Sequence, residues 1–329
     1  MKNILKKMAL VLIPVILYLC FFVAFEPNNY FGLQPGEAAS SQPVARLNAY
    51  RTNPGTRLIL GDSRMAHFDM AQAEAISGRA WQNLAFGGAS LRETIDVANY
   101  ALDSGNPVEE LVIGLSFYTI NGKYDTDRMR ALEDTLNNPL AYVLNLEYNV
   151  NALTGFSNFL IWGRQRLAGE TDLSWTQAKQ ESETGEWTDA DYLGADGTRY
   201  PVHALLAEYP PKLMTNCTGW YVNEEMLTAL EALLARCQAE GVRVTVVLPP
   251  MADNVLEEVC IPLGIDAQMQ ALLPRIFGWQ DAYGIRVLDY EWTARPAFDQ
   301  DSQFFDGFHL DTVHGLPQWA EMLFTDIDA

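Results

Sequence analysis

A small polar triplet, Gly61-Asp62-Ser63, stands directly after the apolar run Arg57–Leu60. The run is short and bounded by turn residues, which is typical of a buried strand. Ligands of open parallel sheets bind at the carboxyl ends of the strands, where a helix that begins just after Ser63 would point its free N–H groups at the serine oxygen. The pattern therefore predicts either a plain turn or a serine nucleophile.

A serine hydroxyl needs a base to take its proton, and the chain has only four histidines. His309 follows Asp306 by three residues near the C-terminus, so the carboxylate can accept from Nδ1–H while Nε2 faces the serine. The alternative is a solvated Asp-Gly turn before a C-terminal helix. Of the other three, His314 is expected to be structural and His203 has no recognisable partner. His67 follows Ser63 by four residues and would either touch the site or lie at the surface.

Two adjacent glycines, Gly87 and Gly88, follow the apolar stretch that ends at Phe86. Since glycine has no Cβ, the backbone can approach a ligand closely here, and an N–H group could bind an oxyanion. The same pair would also serve as a tight turn between a strand and a helix.

The elements that must position these residues alternate along the chain. Helix signals are strongest over 223–241, where Asn223 can cap the N-terminus and Gly241 the C-terminus. Strand, helix, strand in succession predicts an α/β fold with three layers (α/β/α) and a parallel sheet of about five strands. The predicted strands are 57–60, 110–117, 243–250, 285–290 and a weaker 79–86, with further helices over 90–104 and 266–282.

The interval 122–221 interrupts this alternation and is too long for a simple loop, so we expect a mostly helical insertion packed over the sheet as a cap. Its aromatic residues would either line a substrate cleft or attach the insertion to the body. They include Trp162, Trp175, Trp187 and Tyr192.

The N-terminus predicts a membrane anchor. Residues 1–7 carry three lysines, and residues 8–25 are apolar and uncharged, which is just long enough to cross a bilayer. Because the lysines precede the run, residues 1–7 should stay in the cytosol, with 26–50 as a linker and the domain 51–329 outside the cell. A cleaved signal peptide and a buried core helix are the alternatives.

Composition narrows the function further. A net charge of −20 over 329 residues argues against a nucleic-acid partner. Cys20 lies in the predicted anchor, and the other cysteines, Cys217, Cys237 and Cys260, have no metal-binding spacing. One disulfide, for example between Cys217 and Cys260, is compatible with the sequence. We expect neither a metal nor an organic cofactor.

The order of these motifs resembles the SGNH (GDSL-type) hydrolase superfamily, and in particular its membrane-anchored, DltD-like branch, whose members partner membrane-bound O-acyltransferases. The resemblance covers the core from Arg57 onwards, apart from the insertion. It implies that Ser63 is the nucleophile, His309 the general base and acid, and Asp306 its orienting partner. The N–H groups of Ser63 and Gly88 would form the oxyanion hole.

One motif departs from this family. Typical members place an Asn after the third strand as an oxyanion donor, whereas this chain has Ser116, Phe117 and Tyr118 there. Ser116 or Tyr118 would substitute as a donor, or the hole has one donor fewer. The resemblance implies acyl transfer or hydrolysis at O-acetyl or D-alanyl esters of a teichoic acid or exopolysaccharide. A stand-alone surface esterase and a non-catalytic scaffold for an acyltransferase are the alternatives.

Overall fold

The computed structural model describes residues 2–26, 28–33, 43–168, 202–311 and 314–327. Three of the aromatic residues singled out in the insertion, Trp175, Trp187 and Tyr192, lie outside these ranges. Trp162 and His203 lie in helices, but their side chains are also outside what is described.

The chain folds as an α/β protein around one five-stranded, all-parallel sheet, as the sequence predicts. The strands stand in the order β2-β1-β3-β4-β5, so the chain reverses direction across the sheet between β1 and β3. Ligands of such sheets bind at this switch point. The strands are β1 Arg57–Leu60, β2 Gln82–Asn83, β3 Glu110–Gly114, β4 Arg243–Leu248 and β5 Arg286–Asp289.

Four of the five predicted strands are shorter than expected, β4 and β5 by two residues each. β3 ends at Gly114 because Ser116 already caps the next helix, and only two residues of 79–86 pair with β1. The described α-helices are α1 Lys2–Phe25, α2 Pro43–Thr52, α3 Met70–Ser77, α4 Leu91–Asp103, α5 Phe117–Ile120, α6 Met129–Asn137, α7 Pro139–Leu144, α8 Leu146–Ala168, α9 Val202–Cys217, α10 Glu224–Glu240, α11 Asp253–Val255, α12 Ile265–Tyr283 and α13 Gly315–Asp326. A π-helical turn, Leu256–Cys260, follows α11.

Successive strand residues point into two separate cores, which is what a sheet covered on both faces requires. Leu58 and Leu111 belong to the larger core, which includes side chains of α4, α10 and α12. Ile59 and Val112 belong to the smaller one, which includes side chains of α3 and α13. This arrangement is consistent with three layers.

Both helix caps that the sequence predicts for residues 223–241 are present on α10. The Asn223 side chain accepts from the N–H of Met226, and Gly241 ends the helix in the left-handed conformation at φ 75°. Both devices satisfy backbone groups that a helix end leaves without partners. The helix therefore begins and ends where its sequence predicts.

The described part of the insertion is mostly helical, with α6 to α9 inside it. Its end is attached to the body by Trp220, whose indole N–H donates to the carbonyl of Phe117 at 2.7 Å. Cys217, Cys237 and Cys260 are buried and free, so the disulfide that the sequence left open is not formed.

The predicted linker 26–50 is wrong at its end, over residues 43–50. Residues from Pro43 onwards form α2, and Val44, Leu47 and Tyr50 are buried in the larger core. Three apolar side chains at i, i+3 and i+6 lie on one helix face, but the polar residues between them conceal this pattern in the sequence.

The apolar N-terminal run lies within one helix, α1, whose end packs onto the body. Phe22 is fully buried, and the Phe21 and Phe25 rings contact Phe156 of α8. Across the described ranges, the helices include none that is both long and apolar enough to span a bilayer. The membrane span that the sequence predicts is therefore not confirmed.

Candidate active site

Ser63 lies at the carboxyl end of β1, beside the switch point of the sheet. The expected helix does not begin there, because the chain makes two turns, with Met65 N–H donating to the Asp62 carbonyl and Ala66 N–H to that of Ser63. The next helix, α3, starts at Met70. A turn rather than a helix N-terminus therefore presents the serine.

The structure brings the three predicted triad side chains together. Ser63 Oγ lies 2.6 Å from His309 Nε2, although the two residues are 246 positions apart. On the other side of the ring, His309 Nδ1 lies 2.9 Å from Asp306 Oδ2. These contacts give the hydroxyl–imidazole–carboxylate order that nucleophilic serine catalysis needs.

The loop around Asp306 fixes the histidine. Asp306 Oδ1 accepts from the backbone N–H groups of Phe308 at 3.0 Å and His309 at 2.8 Å. The carboxylate is buried, with 2% of its surface exposed. A single side chain thus closes the turn and orients the imidazole that the turn carries.

The charges of this pair favour proton transfer. Burial opposes the charge on His309, but the Asp306 carboxylate and its hydrogen bond outweigh burial and raise the pKa of the imidazole above its usual range. Burial likewise opposes the charge on Asp306, and the imidazolium together with four hydrogen-bond contacts lowers the pKa of that carboxyl. An imidazolium formed at His309 would therefore be stabilised.

The backbone N–H groups of Ser63 and Gly88, which the sequence predicts as oxyanion donors, have no hydrogen-bond partner among the residues that the structure describes. Gly88 adopts φ 64°, and its carbonyl accepts from the Tyr124 hydroxyl and from Arg128, both at 2.6 Å. The glycine loop is thereby held in a conformation that other residues rarely adopt.

The two alternative donors differ in their placement. Ser116 caps α5: its Oγ accepts from the N–H of Thr119 at 3.2 Å and lies 3.4 Å from Thr119 Oγ1, so its contacts are local to the cap. The Tyr118 ring lies 4.4 Å from that of Tyr124 and 5.6 Å from that of Phe308. Tyr118 therefore belongs to the aromatic wall that joins the Gly88 loop to the His309 loop.

A buried ion pair that no sequence motif indicates lies beside the nucleophile turn. Arg64 Nη1 donates to Glu291 Oε1 at 2.9 Å, and the Arg64 guanidinium stacks 4.1 Å from the ring centre of Phe308. Glu291 also accepts from Phe117 N–H and Trp292 Nε1–H. Burial raises the pKa of Glu291 to about 7, while the Arg64 charge opposes this rise. The pair thus connects the nucleophile turn to the histidine loop.

The insertion supplies one further side chain. Tyr209 of α9 stacks on Phe308 with ring centres 6.0 Å apart and lies 6.2 Å from the His309 ring. Burial, followed by the negative charge of Asp306, raises the pKa of Tyr209. An aromatic residue of the insertion therefore covers the base, although sequence reasoning named other aromatics for this role.

Two other histidines are placed by the structure. His67 is half-buried and close enough to His309 to feel its charge; burial first, then the charges of His309 and Arg46, lowers its pKa to about 4. It is therefore neutral at physiological pH. His314 Nδ1 lies 2.7 Å from Asp311 Oδ2, which repeats the Asp306–His309 spacing without reaching Ser63.

The chain matches no protein-family model and no curated protein. Within the described ranges, no group of three or more His, Cys, Asp or Glu residues is arranged to hold a metal ion. The chemistry of the site rests on a serine, its base, an orienting carboxylate and two backbone N–H groups without hydrogen-bond partners in the described residues.

Proposed function

We propose that this protein is a serine enzyme that transfers or hydrolyses acyl groups, and that it belongs to the SGNH hydrolases that its motifs resemble. The observation that carries the proposal is the continuous contact from Ser63 Oγ through the His309 ring to the Asp306 carboxylate. A hydroxyl in this position loses its proton to Nε2 as it attacks, which is the chemistry of activated serines.

The mechanism has two stages. Ser63 Oγ attacks the carbonyl carbon of an acyl ester or thioester while His309 takes its proton, and the N–H groups of Ser63 and Gly88 bind the oxyanion. His309 then gives the proton to the leaving group, which leaves an acyl-serine. A hydroxyl of the acceptor, or water, attacks this intermediate after losing its proton to His309, and Ser63 is regenerated.

Transfer assisted by a partner suits this oxyanion hole better than fast esterase turnover. The side-chain donor of typical relatives is missing, and the Ser116 hydroxyl that could replace it is buried in the α5 cap within reach of Thr119 Oγ1. One missing donor costs about 10²- to 10³-fold in rate in serine enzymes. The same observation favours the second candidate, a scaffold that holds an acyltransferase without using its own triad.

The proposed acceptor is a cell-surface polymer that carries O-acetyl or D-alanyl esters, such as a teichoic acid or exopolysaccharide. The proposed location is the cell membrane, with α1 as a single span, the α/β body outside and a membrane-bound O-acyltransferase as partner. Support comes from the three lysines before the apolar run and from the resemblance to the membrane-anchored branch.

Labelling by a fluorophosphonate probe tests the chemistry. We expect labelling of the full chain and none for Ser63→Ala or His309→Ala. His314→Ala is the matched control, because its ring makes the same contact with a carboxylate but does not touch Ser63. A folded wild-type protein that stays unlabelled would favour the scaffold.

A second assay separates transfer from hydrolysis. Release of p-nitrophenol from p-nitrophenyl acetate is followed with and without teichoic acid as acceptor. Transfer predicts a burst followed by slow turnover that the polymer accelerates, with acetate appearing on the polymer. Rapid turnover that ignores the polymer would identify a stand-alone esterase instead.

A further inference from the structure

The exposed apolar side chains of this protein are concentrated in one region. Of the large apolar side chains that are exposed in the described part of the chain, seven lie on α1, seven on α7 and α8, and only three elsewhere. The three most exposed of these side chains are Leu140, Leu144 and Leu146, at 71%, 74% and 79% of their surface. Soluble surfaces rarely gather such side chains into one patch.

The corner between α7 and α8 is also almost uncharged. Residues 138–163 contain one charged side chain, Glu147, in a chain of which 19% is charged. Along α8, Leu146, Val150 and Leu153 follow one another at i, i+4 and i+7 and form an apolar stripe, with Glu147 on the neighbouring face. The corner is therefore apolar where α7 meets α8, and α8 carries its one charge beside the apolar stripe.

Contacts with α1 show which part of that helix the α7–α8 corner lies beside. The Tyr18 hydroxyl bonds to the Val143 carbonyl at 2.9 Å and to Asn149 at 2.7 Å, whereas Phe25 contacts Phe156 and Phe159 further along α8. The two helices thus run side by side in the same direction. Seven residues separate Tyr18 from Phe25, which at about 1.5 Å per residue is about 10 Å.

We propose that the α7–α8 corner, residues 139–153, is embedded in the outer leaflet of the bilayer beside α1. The inference rests on the proposed location of α1, which would leave the bilayer near Phe25. The corner then lies about 10 Å below that boundary, within a leaflet whose hydrocarbon is about 15 Å thick.

Three asparagine side chains of the corner bond to backbone groups within the protein, which lowers the cost of placing them in hydrocarbon. Asn138 accepts from the N–H groups at the start of α7, and Asn145 from those of Glu147 and Tyr148 at the start of α8. Asn149 donates to the Val143 and Asn145 carbonyls. The Glu147 carboxylate, in the first turn of α8, lies close enough to Arg128 for the two charges to attract each other.

Lipid chains suit this surface better than a protein partner does. Contacts between helices in membranes rely on small residues that let the backbones approach. The stripe instead presents leucine and valine, which are bulky and match acyl chains.

Quenching by labelled lipids tests the proposal on the full chain in phospholipid vesicles. In a Cys20→Ser background, an NBD fluorophore is attached at Leu144→Cys, at Ile16→Cys in α1, or at Ala239→Cys, an exposed position on α10 of the body. The other cysteines are buried and should not react. With nitroxide-bearing acyl chains we expect loss of fluorescence at 144 to the same extent as at 16, and none at 239.

Each other outcome overturns a defined claim. Quenching at 16 with none at 144 refutes the embedded corner alone. A blue-shifted signal at 144 that lipids do not quench means that protein covers the corner, and also refutes it. No quenching at 16 refutes the bilayer location of α1. Fluorophosphonate labelling of Ser63 in the same vesicles reports separately on the proposed chemistry.

Discussion

Replacing Asp306 by Asn should disable the site while changing one atom of the side chain. The Asn oxygen can still accept from the N–H groups of Phe308 and His309, which keeps the turn closed. Its NH₂ group then faces His309 Nδ1, which must become an acceptor. Nε2 consequently carries the proton and donates to Ser63, so the ring cannot take the serine proton.

The expected loss follows from that tautomer. Fixing the base in the wrong tautomer lowers the rate by about 10⁴-fold in serine enzymes, which corresponds to about 5.5 kcal/mol of barrier at about 1.36 kcal/mol per tenfold. The carboxylate is also what raises the pKa of His309 against the effect of burial. The remaining activity of Asp306→Asn should therefore follow a pH profile that lies lower than that of the wild type.

The assay is the second-order rate constant of fluorophosphonate labelling between pH 5 and about 9, a range that brackets the usual pKa of histidine. Asp311→Asn is the matched control, because Asp311 binds the backbone N–H and Nδ1 of His314 in the same i, i+3 arrangement away from Ser63. It should label at the wild-type rate. Equal losses in the two variants, or none in Asp306→Asn, would refute the reasoning.

Three further outcomes are expected. Arg64→Met removes the charge that opposes the rise in the pKa of Glu291, so above about pH 8 it should lower the free energy of unfolding in urea by about 3–5 kcal/mol, and by less near neutral pH where Glu291 becomes protonated. Adding Glu291→Met should restore most of the loss. Gly88→Ala should slow labelling by up to about 10²-fold. Gly78→Ala is the control, because Gly78 has the same left-handed backbone (φ 66°) and lies far from any neighbour. Gly78→Ala should cost stability only, about 1–2 kcal/mol, as measured by thermal unfolding. The rate of wild-type labelling should rise with pH along a limb centred above 6.5, since His309 must be neutral to act and its pKa is raised. The stability that the charged His309–Asp306 pair adds is fully present below about pH 6.5 and is lost as pH rises through the raised pKa of His309. Denaturant titrations at several pH values would detect this loss.

The triad and the sheet could be predicted because their signals are local. Short apolar strands, a capped α10 and an Asp three residues before a His each follow from a few neighbouring residues. The convergence of Ser63 and His309 then follows from topology, since parallel strands end at one edge of the sheet.

Features that depend on distant pairs could not be predicted. The Arg64–Glu291 bond joins residues 227 positions apart, and neither residue stands in a recognisable pattern. Tyr209 covers the base only because α9 returns over the sheet. The sequence does not distinguish the turn after Ser63 from a helix start, since both can follow Gly-Asp-Ser and only the hydrogen bonds differ.

Direct detection of an acyl group on Ser63 tests the central claim most closely. The full chain is mixed with p-nitrophenyl acetate, quenched in acid within milliseconds to seconds, and digested for peptide mass spectrometry, in parallel with His309→Ala. The account predicts acetyl on the peptide that contains Ser63 in the wild type, with little or none in the variant. A folded wild-type protein without acetyl on that residue, or equal acetylation of the variant, would contradict it.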